Sequence, residues 1–319
     1  PRQKGLSLYE LQKRFATEEQ CRDYLEQKRW PNGFQCPKCG GNKHYRLSNG
    51  MIQCGTCRHQ TSVTVGTVMH RSHLPLTKWF LAMYFMSQDK RGISAVRLSQ
   101  VIGVTYKAAW YLLARLRRAM GQRDDTHILG GTVEFDDAFF GGPTKGKKRG
   151  RGTEKAKVFV ALSLTDKGHP QYLKMKPTDN IKQASVKRFA QTSIEKGSTI
   201  LSDGYRSYSP ALARYDHRPK AYAPDSGMLR WLHIMIGNAK AFILGTYHGL
   251  PQKYLGDYLN EIASGLAGVT LGPICLTVWS LLFLIPRWLT QGDNHICENR
   301  VSVAAPAARF STLFDCAQF

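Results

Sequence analysis

The chain has 319 residues, with 45 Lys and Arg against 23 Asp and Glu, a formal net charge of +22 and a pI near 9.8. With 42% hydrophobic and 21% charged residues, it can bury cores for two or three domains and is neither an acidic solvating chain nor disordered overall. Charge of this sign and size makes a polyanion, nucleic acid above all, the leading partner class.

Residues 6–29 read as an amphipathic helix, with Leu8, Leu11, Phe15 and Leu25 at helical spacing and Thr17 with Gln20 offering a second helix start. No signal peptide is expected from the opening Pro1-Arg2-Gln3-Lys4, and Trp30-Pro31-Asn32-Gly33 reads as the stop of the helix. Residues 34–68 are β-like and rich in Cys, Gly and Thr. There Cys36-Pro-Lys-Cys39 and Cys54-Gly-Thr-Cys57 form two C-x-x-C knuckles. Each knuckle places two thiolates at one tight turn, and two knuckles close a structural tetrahedral Zn–S4 site. The remaining cysteines, Cys21, Cys275, Cys297 and Cys316, show no disulfide framework. So small a ribbon is expected to draw its stability from metal, and Lys38, Lys43, His44, Arg46, Arg58 and His59 around it favour nucleic acid.

From Leu76 to Met120 the pattern is helical, with Thr77 expected to cap the run through Trp79, Phe80, Met83, Tyr84 and Phe85. Gly92–Leu98, then Val101-Ile102-Gly103-Val104-Thr105, then Tyr106–Trp110 spell helix, glycine turn, helix. This reads as a DNA-binding helix-turn-helix, or else as an ordinary helical hairpin. Thr105 would cap the second helix, whose exposed face would offer Tyr106 and Lys107 to DNA first, then Arg115, Arg117 and Arg118.

Residues 130–250 alternate strand-like and helix-like segments. Thr132–Phe140 is a strand containing acids, closed by Gly141-Gly142; its period of two puts Glu134 and Asp136 on one face and Asp137 on the other. A second strand, Ser198–Ser202, ends in Asp203-Gly204; Lys157–Leu164 and Gln171–Leu173 supply further strands. Two aspartates at strand positions of one sheet can share divalent cations such as Mg²⁺, which activate a nucleophile and stabilise a leaving oxygen in phosphoryl transfer. The run Lys145, Lys147, Lys148, Arg149, Arg151, Lys155 and Lys157 is either a solvated loop or a phosphate clamp. Ile262 to Pro286 holds no charge, and Val269–Ile285 taken literally is a marginal transmembrane candidate broken by Gly272-Pro273.

These motifs together resemble transposases of the IS1595 type, the group that includes ISXO2-like elements, over about Leu8 to Glu261. The resemblance is carried by CPKCGG…CGTCRHQTSVTVGTVM, LTKWF, LSQVIGVTYKAAW, VEFDDAFFGG, LSDGYRSY, NAKAFILGTYHG and YLNE. It implies an α+β multidomain chain: a helical segment (1–33), a zinc ribbon (34–75), a helix-turn-helix region (76–125) and an RNase H-like α/β core (130–262). It further implies Mg²⁺- or Mn²⁺-dependent cleavage at terminal inverted repeats and strand transfer into target DNA. Self-association on paired ends and a cytoplasmic, nucleoid-associated bacterial setting without membrane attachment are also implied. Carried over by position, Asp136 and Asp203 match the two catalytic aspartates, and Asn238 matches the third position, with Lys240 two residues on to contact phosphate. His233 and Glu261 compete with Asn238. Within a helix, residues 238 and 240 point about 200° apart. The DNA-binding set is Tyr106, Lys107, Arg115, Lys147, Lys148, Arg149 and Arg151.

The resemblance stops at Glu261, where relatives continue with a stretch of the type YRFNRR. A codon choice for Ala263–Thr270 reads FRFSRRD two bases later, so a frameshift that replaced the native C-terminus (263–319) and inactivated this copy is a consistent reading. The rival classes are a non-catalytic zinc-ribbon and helix-turn-helix regulator and a membrane-tethered DNA-binding protein.

Overall fold

The structure, a computed structural model, describes residues 6–88, 91–142, 153–220 and 227–271, with side chains as far as Gly265. Lys145, Lys147, Lys148, Arg149 and Arg151 lie outside the described residues, as does nearly all of the apolar run after Val269.

The helical segment over 6–29 divides into two helices at the second start offered by Thr17 and Gln20. α1 (Leu8–Arg14) opens on a capping box of Ser7 with Glu10, and α2 (Glu18–Arg29) on one of Thr17 with Gln20. Each box satisfies amides that would otherwise be orphaned, so the chain breaks at the second box. β1 (His44–Arg46), β2 (Ile52–Cys54) and β3 (Gln60–Thr61) form a three-stranded antiparallel meander. α3 (Leu76–Gln88) follows, and Thr77 is not its cap. The Glu18 carboxylate, from the first turn of α2, accepts from the Leu76 and Thr77 amides at 2.9 Å each and from the Thr77 hydroxyl at 3.0 Å. A distant carboxylate at the positive end of α3 thus replaces the local cap.

α4 (Ala95–Ile102) ends on Gly103 in the left-handed region at φ 65°, and α5 (Tyr106–Thr126) starts from Thr105, whose side chain accepts from the Ala108 amide. The three-residue turn between the helices gives the helix-turn-helix its bend. Leu98, Ile102, Ala109, Leu112 and Leu116 of this pair join Trp79 and Phe80 of α3, Leu11 and Leu25 of α1 and α2, and Phe34 and Ile52 of the ribbon in one buried cluster. The ribbon therefore leans on a shared core and does not depend on metal alone.

Beyond α5, β4 (Thr132–Phe140), β5 (Ala156–Leu164), β6 (Pro170–Thr178), β7 (Thr199–Ser202) and β8 (Asp216–Pro219) form a sheet of order β6-β5-β4-β7-β8. β4, β5 and β6 are antiparallel neighbours; β7 runs parallel to β4, and β8 to β7. α6 (Gln183–Ser193) and α7 (Tyr208–Ala211) cover one face, packing on Val133, Phe135 and Phe159. α8 (Arg230–Tyr247) and α9 (Gln252–Leu271) cover the other, packing on Ala138, Val160 and Leu173. Three antiparallel strands followed by two parallel ones, with helices on both faces, is an RNase H-like α/β core. Among the described residues, no helix is long and apolar enough to cross a membrane.

Arg117, expected on an exposed DNA-facing surface, is 2% exposed. It faces α9, where its Nε lies 2.6 Å from Glu261 Oε2. A long amphipathic helix has two faces to satisfy, and this turn of α5 is spent on the core.

Candidate active site

The four knuckle cysteines converge. Their Sγ atoms all lie within 4.8 Å of one another, with Cys36–Cys57 and Cys39–Cys54 at 3.6 Å. A tetrahedral site with Zn–S bonds of about 2.3 Å has S–S edges of about 3.8 Å, so the four thiolates fit a zinc ion. The turns are shaped for it: Gly40 (φ 74°) and Arg58 (φ 57°) adopt left-handed backbone just after each knuckle. The Thr56 amide donates to Cys54 Sγ at 3.4 Å. Hydrogen bonding from the Cys57 amide foremost draws the Cys54 thiol down to about 6. Of the surrounding basic residues, Lys38, Lys43 and Arg58 are exposed. Arg46 is instead committed to α2, at 2.8 Å from Asp23 and 2.9 Å from Glu26, and His44 lies 3.8 Å from Glu26.

The acids of the core sit where the alternation put them. Asp136 and Asp203 occupy neighbouring positions of parallel strands: Phe135 pairs with Ser202, and each aspartate is the next residue. Adjacent strands lie about 4.8 Å apart. Burial first, then the charges of Asp137 and Asp203, push the Asp136 carboxyl up to about 6. Asp203 leaves the strand end accepting from the Tyr205 amide at 3.1 Å. Half-buried carboxylates crowded this way are a donor set suited to a hard divalent cation.

The residues around the pair hold it in place. Asp137, on the opposite face, takes the Tyr208 hydroxyl at 2.5 Å, and burial together with the Asp137 charge keeps that phenol far above its ordinary value. Glu134, 5% exposed, accepts from the Leu232 amide at 2.8 Å. α8 starts from Leu229, which supplies no side-chain cap, so Glu134 caps the helix from the sheet and neutralises its positive end. Burial raises the Glu134 pKa. Ser202, just before Asp203, lies 2.8 Å from His217 Nε2 across to β8. The sequence reading assigned none of these three contacts. The available signal was the buried acid in a strand, which demands a partner without naming it.

The third-position residues lie apart. His233 Nε2 is 3.4 Å from Asp136 Oδ2. Asn238 is exposed on α8, turned about 140° from His233 by helical geometry. Lys240 is about 20° from His233 by the same geometry, with its Nζ 5.9 Å from the Phe140 ring centroid. Glu261 is paired with Arg117 on the α5–α9 contact. At the other end of the chain, Tyr106 and Lys107 are exposed on the first turn of α5. Arg115 donates to the His70 carbonyl at 2.7 Å and lies 4.9 Å from the Tyr111 ring centroid.

Residues 128–263 match the ISXO2-like transposase domain of the IS1595 type, and residues 16–60 match the transposase zinc-ribbon domain of that type. An uncharacterized protein in transposable element ISH50 of Halobacterium salinarum is 29% identical over 217 residues, covering 62% of this chain and 71% of that protein. Among solved structures, the simian T-cell lymphotropic virus intasome in complex with PP2A regulatory subunit B56 gamma aligns at 12% identity over 57% of this chain and 64% of that one, with a TM-score of 0.28. A pre-cleavage Mos1 transpososome aligns at 12% identity over 63% and 78%, with a TM-score of 0.24. The chain thus carries, at residues 16–60 and 128–263, a zinc ribbon and a transposase domain that both match the IS1595 type.

Proposed function

We propose that this chain cleaves insertion-sequence ends at their terminal inverted repeats and joins them to target DNA by divalent-metal-dependent phosphoryl transfer. The observation that carries this reading is the placement of Asp136 on β4 beside Asp203, the residue just past the end of β7, inside the matched transposase domain. Bound Mg²⁺ or Mn²⁺ would activate the attacking water or 3′-hydroxyl and stabilise the leaving oxygen. The chain's own residues supply the holding and positioning. Asp136 and Asp203 would hold the cations. Glu134 fixes the start of α8 and thereby the His233 ring beside Asp136. Lys240, on the same side of that helix, is placed to contact a phosphate. For the third position the short distance favours His233, while Asn238 would require α8 to turn; His233→Ala and Asn238→Ala variants discriminate them.

In this reading the first turn of α5 offers Tyr106 and Lys107 to the DNA, and a zinc ion held by Cys36, Cys39, Cys54 and Cys57 stiffens the ribbon that presents Lys38, Lys43 and Arg58. Assembly of several copies on paired ends and action on the chromosome in the cytoplasm follow from the same reading. The domain match ends at residue 263, which supports reading the tail as sequence foreign to the family.

The test is nicking of duplexes carrying the ends recovered from the gene's flanks, with Mg²⁺ or Mn²⁺, by the chain as it stands and by one with the tail restored in the alternate frame. Nicking abolished by Asp136→Asn with DNA binding retained is expected. If both chains bind the ends and neither nicks, the non-catalytic regulator replaces this reading. Nicking by the restored chain alone would establish that the altered tail inactivates this copy.

A further inference from the structure

At the edge of the core sheet, a groove of about 1150 Å³ opens between β6, the start of β5, α6 and the start of α9. Seven Lys and Arg side chains line it against three carboxylates, a local excess of positive charge in a concave, partly apolar setting that focuses the field. It is not the Asp136 site. Lys157, Lys176 and Lys174 pair in register with Thr178, Phe159 and Ala161, and paired residues share a face. Phe159 packs with Phe135 and Phe189 under α6, whereas Asp136 alternates to the α8 face. β6 lies two strands from β4, about 10 Å across the sheet.

Three features mark the groove as built for anionic groups. Lys174 is only 4% exposed, an unfavourable place for an ammonium without counter-charge. Burial lowers its pKa, and Asp125 and Asp124 pull the other way. Lys176 reaches Asp125 at 2.5 Å, an exposed pair that an incoming anion can exchange. The first turn of α6 reaches the groove at Ala184 and Ser185, and its N-cap, Lys182, makes no side-chain cap bond. A helix start of this kind adds amide donors and partial positive charge.

We propose that this groove is a second phosphodiester track, holding the backbone of duplex DNA outside the segment presented to Asp136 and Asp203. The proposal rests on the transposition reading for its partner. Its volume and its spread of cations, from Lys253 to Arg188, suit an extended polyanion better than a single small ligand.

The experiment is equilibrium binding of fluorescein-labelled mixed-sequence duplex DNA to the full zinc-loaded chain at several salt concentrations, without added magnesium or manganese. The triple variant Lys157→Gln/Lys182→Gln/Arg188→Gln is expected to reduce the slope of log Kobs against log salt by about 2 to 3, close to one per lost phosphate contact. A control removing three exposed lysines elsewhere, Lys13→Gln/Lys167→Gln/Lys196→Gln, is expected to leave the slope unchanged. An unchanged slope in the groove variant, an equal fall in both variants, or polyglutamate competing as well as DNA overturns the proposal. If the triple variant does not fold, the exposed pair Lys182→Gln/Arg188→Gln carries the test with an expected fall of about 1 to 2. Asp136→Asn should keep the parental slope, so loss of nicking bears on the catalytic reading and the slope bears on the groove.

Discussion

The buried ion pair between α5 and α9 gives the sharpest test of how the helix-turn-helix is tied to the core. Arg117 and Glu261 are 2% and 7% exposed and meet at 2.6 Å. Arg117 also donates to the Tyr247 hydroxyl at 3.1 Å and lies 3.9 Å from the Tyr258 ring centroid, whereas Glu261 Oε1 is buried with no hydrogen-bond partner among the described residues. Desolvation has cost both groups, and each is tolerable only beside the other. Glu261→Gln strands a guanidinium that cannot release its proton, and should destabilise by about 3 kcal/mol or more. The double variant Arg117→Met/Glu261→Leu removes both charges and the orphaned oxygen. It forfeits a cation–π contact and a hydrogen bond worth about 1 kcal/mol each, but recovers the desolvation of two ions, and should be less destabilised than Glu261→Gln by about 2 kcal/mol. Burial holds the Glu261 carboxyl above its ordinary 4.5 despite Arg117. The folded chain therefore binds more protons than the unfolded one above pH 4.5, and this residue's contribution to stability falls as pH rises through that window. Glu261→Gln should remove that component of the pH slope. Urea unfolding followed by tryptophan fluorescence and far-UV circular dichroism, with coincident transitions, reads all of this. A double variant as unstable as the single, or a single variant within about 1 kcal/mol of the parent, refutes the account.

Other outcomes follow from the same structure. Zinc analysis should give one ion per chain, and Cys54→Ser should lose it and lower the melting temperature; retention of zinc by that variant would remove the four-thiolate assignment. Glu134→Ala takes away the cap of α8 and should cost about 1 to 2 kcal/mol, with a larger loss of nicking than Tyr208→Phe, whose hydroxyl meets Asp137 on the opposite face of β4. Thr105→Ala should cost about 1 kcal/mol through the lost cap bond to the Ala108 amide, and should weaken binding to inverted-repeat DNA, because it frays the turn that carries Tyr106 and Lys107. Equal affinity of parent and variant would place the DNA contact elsewhere.

What the sequence determined by itself is what short-range chemistry dictates. Thiolates two residues apart make a knuckle, so Cys36, Cys39, Cys54 and Cys57 were legible as a metal site. A threonine before a helical run caps it, so Thr105 was legible; alternation along a strand separated Glu134 and Asp136 from Asp137. Thr77 shows the limit of that logic, because the helix starts one residue before it and its own amide and hydroxyl are taken by Glu18, which lies far earlier in the chain. The partner of a charge is chosen by whichever remote element arrives beside it. Only the tertiary structure turned Arg117 from a DNA-facing residue into the mate of Glu261, tied Arg46 to Asp23 and Glu26, and brought His233 to Asp136. It also gathered the lysines of β5, β6 and α6 into one groove. Local spacing constrains one turn or one strand face; the meeting of faces is decided by how whole elements pack, and that carries no local mark.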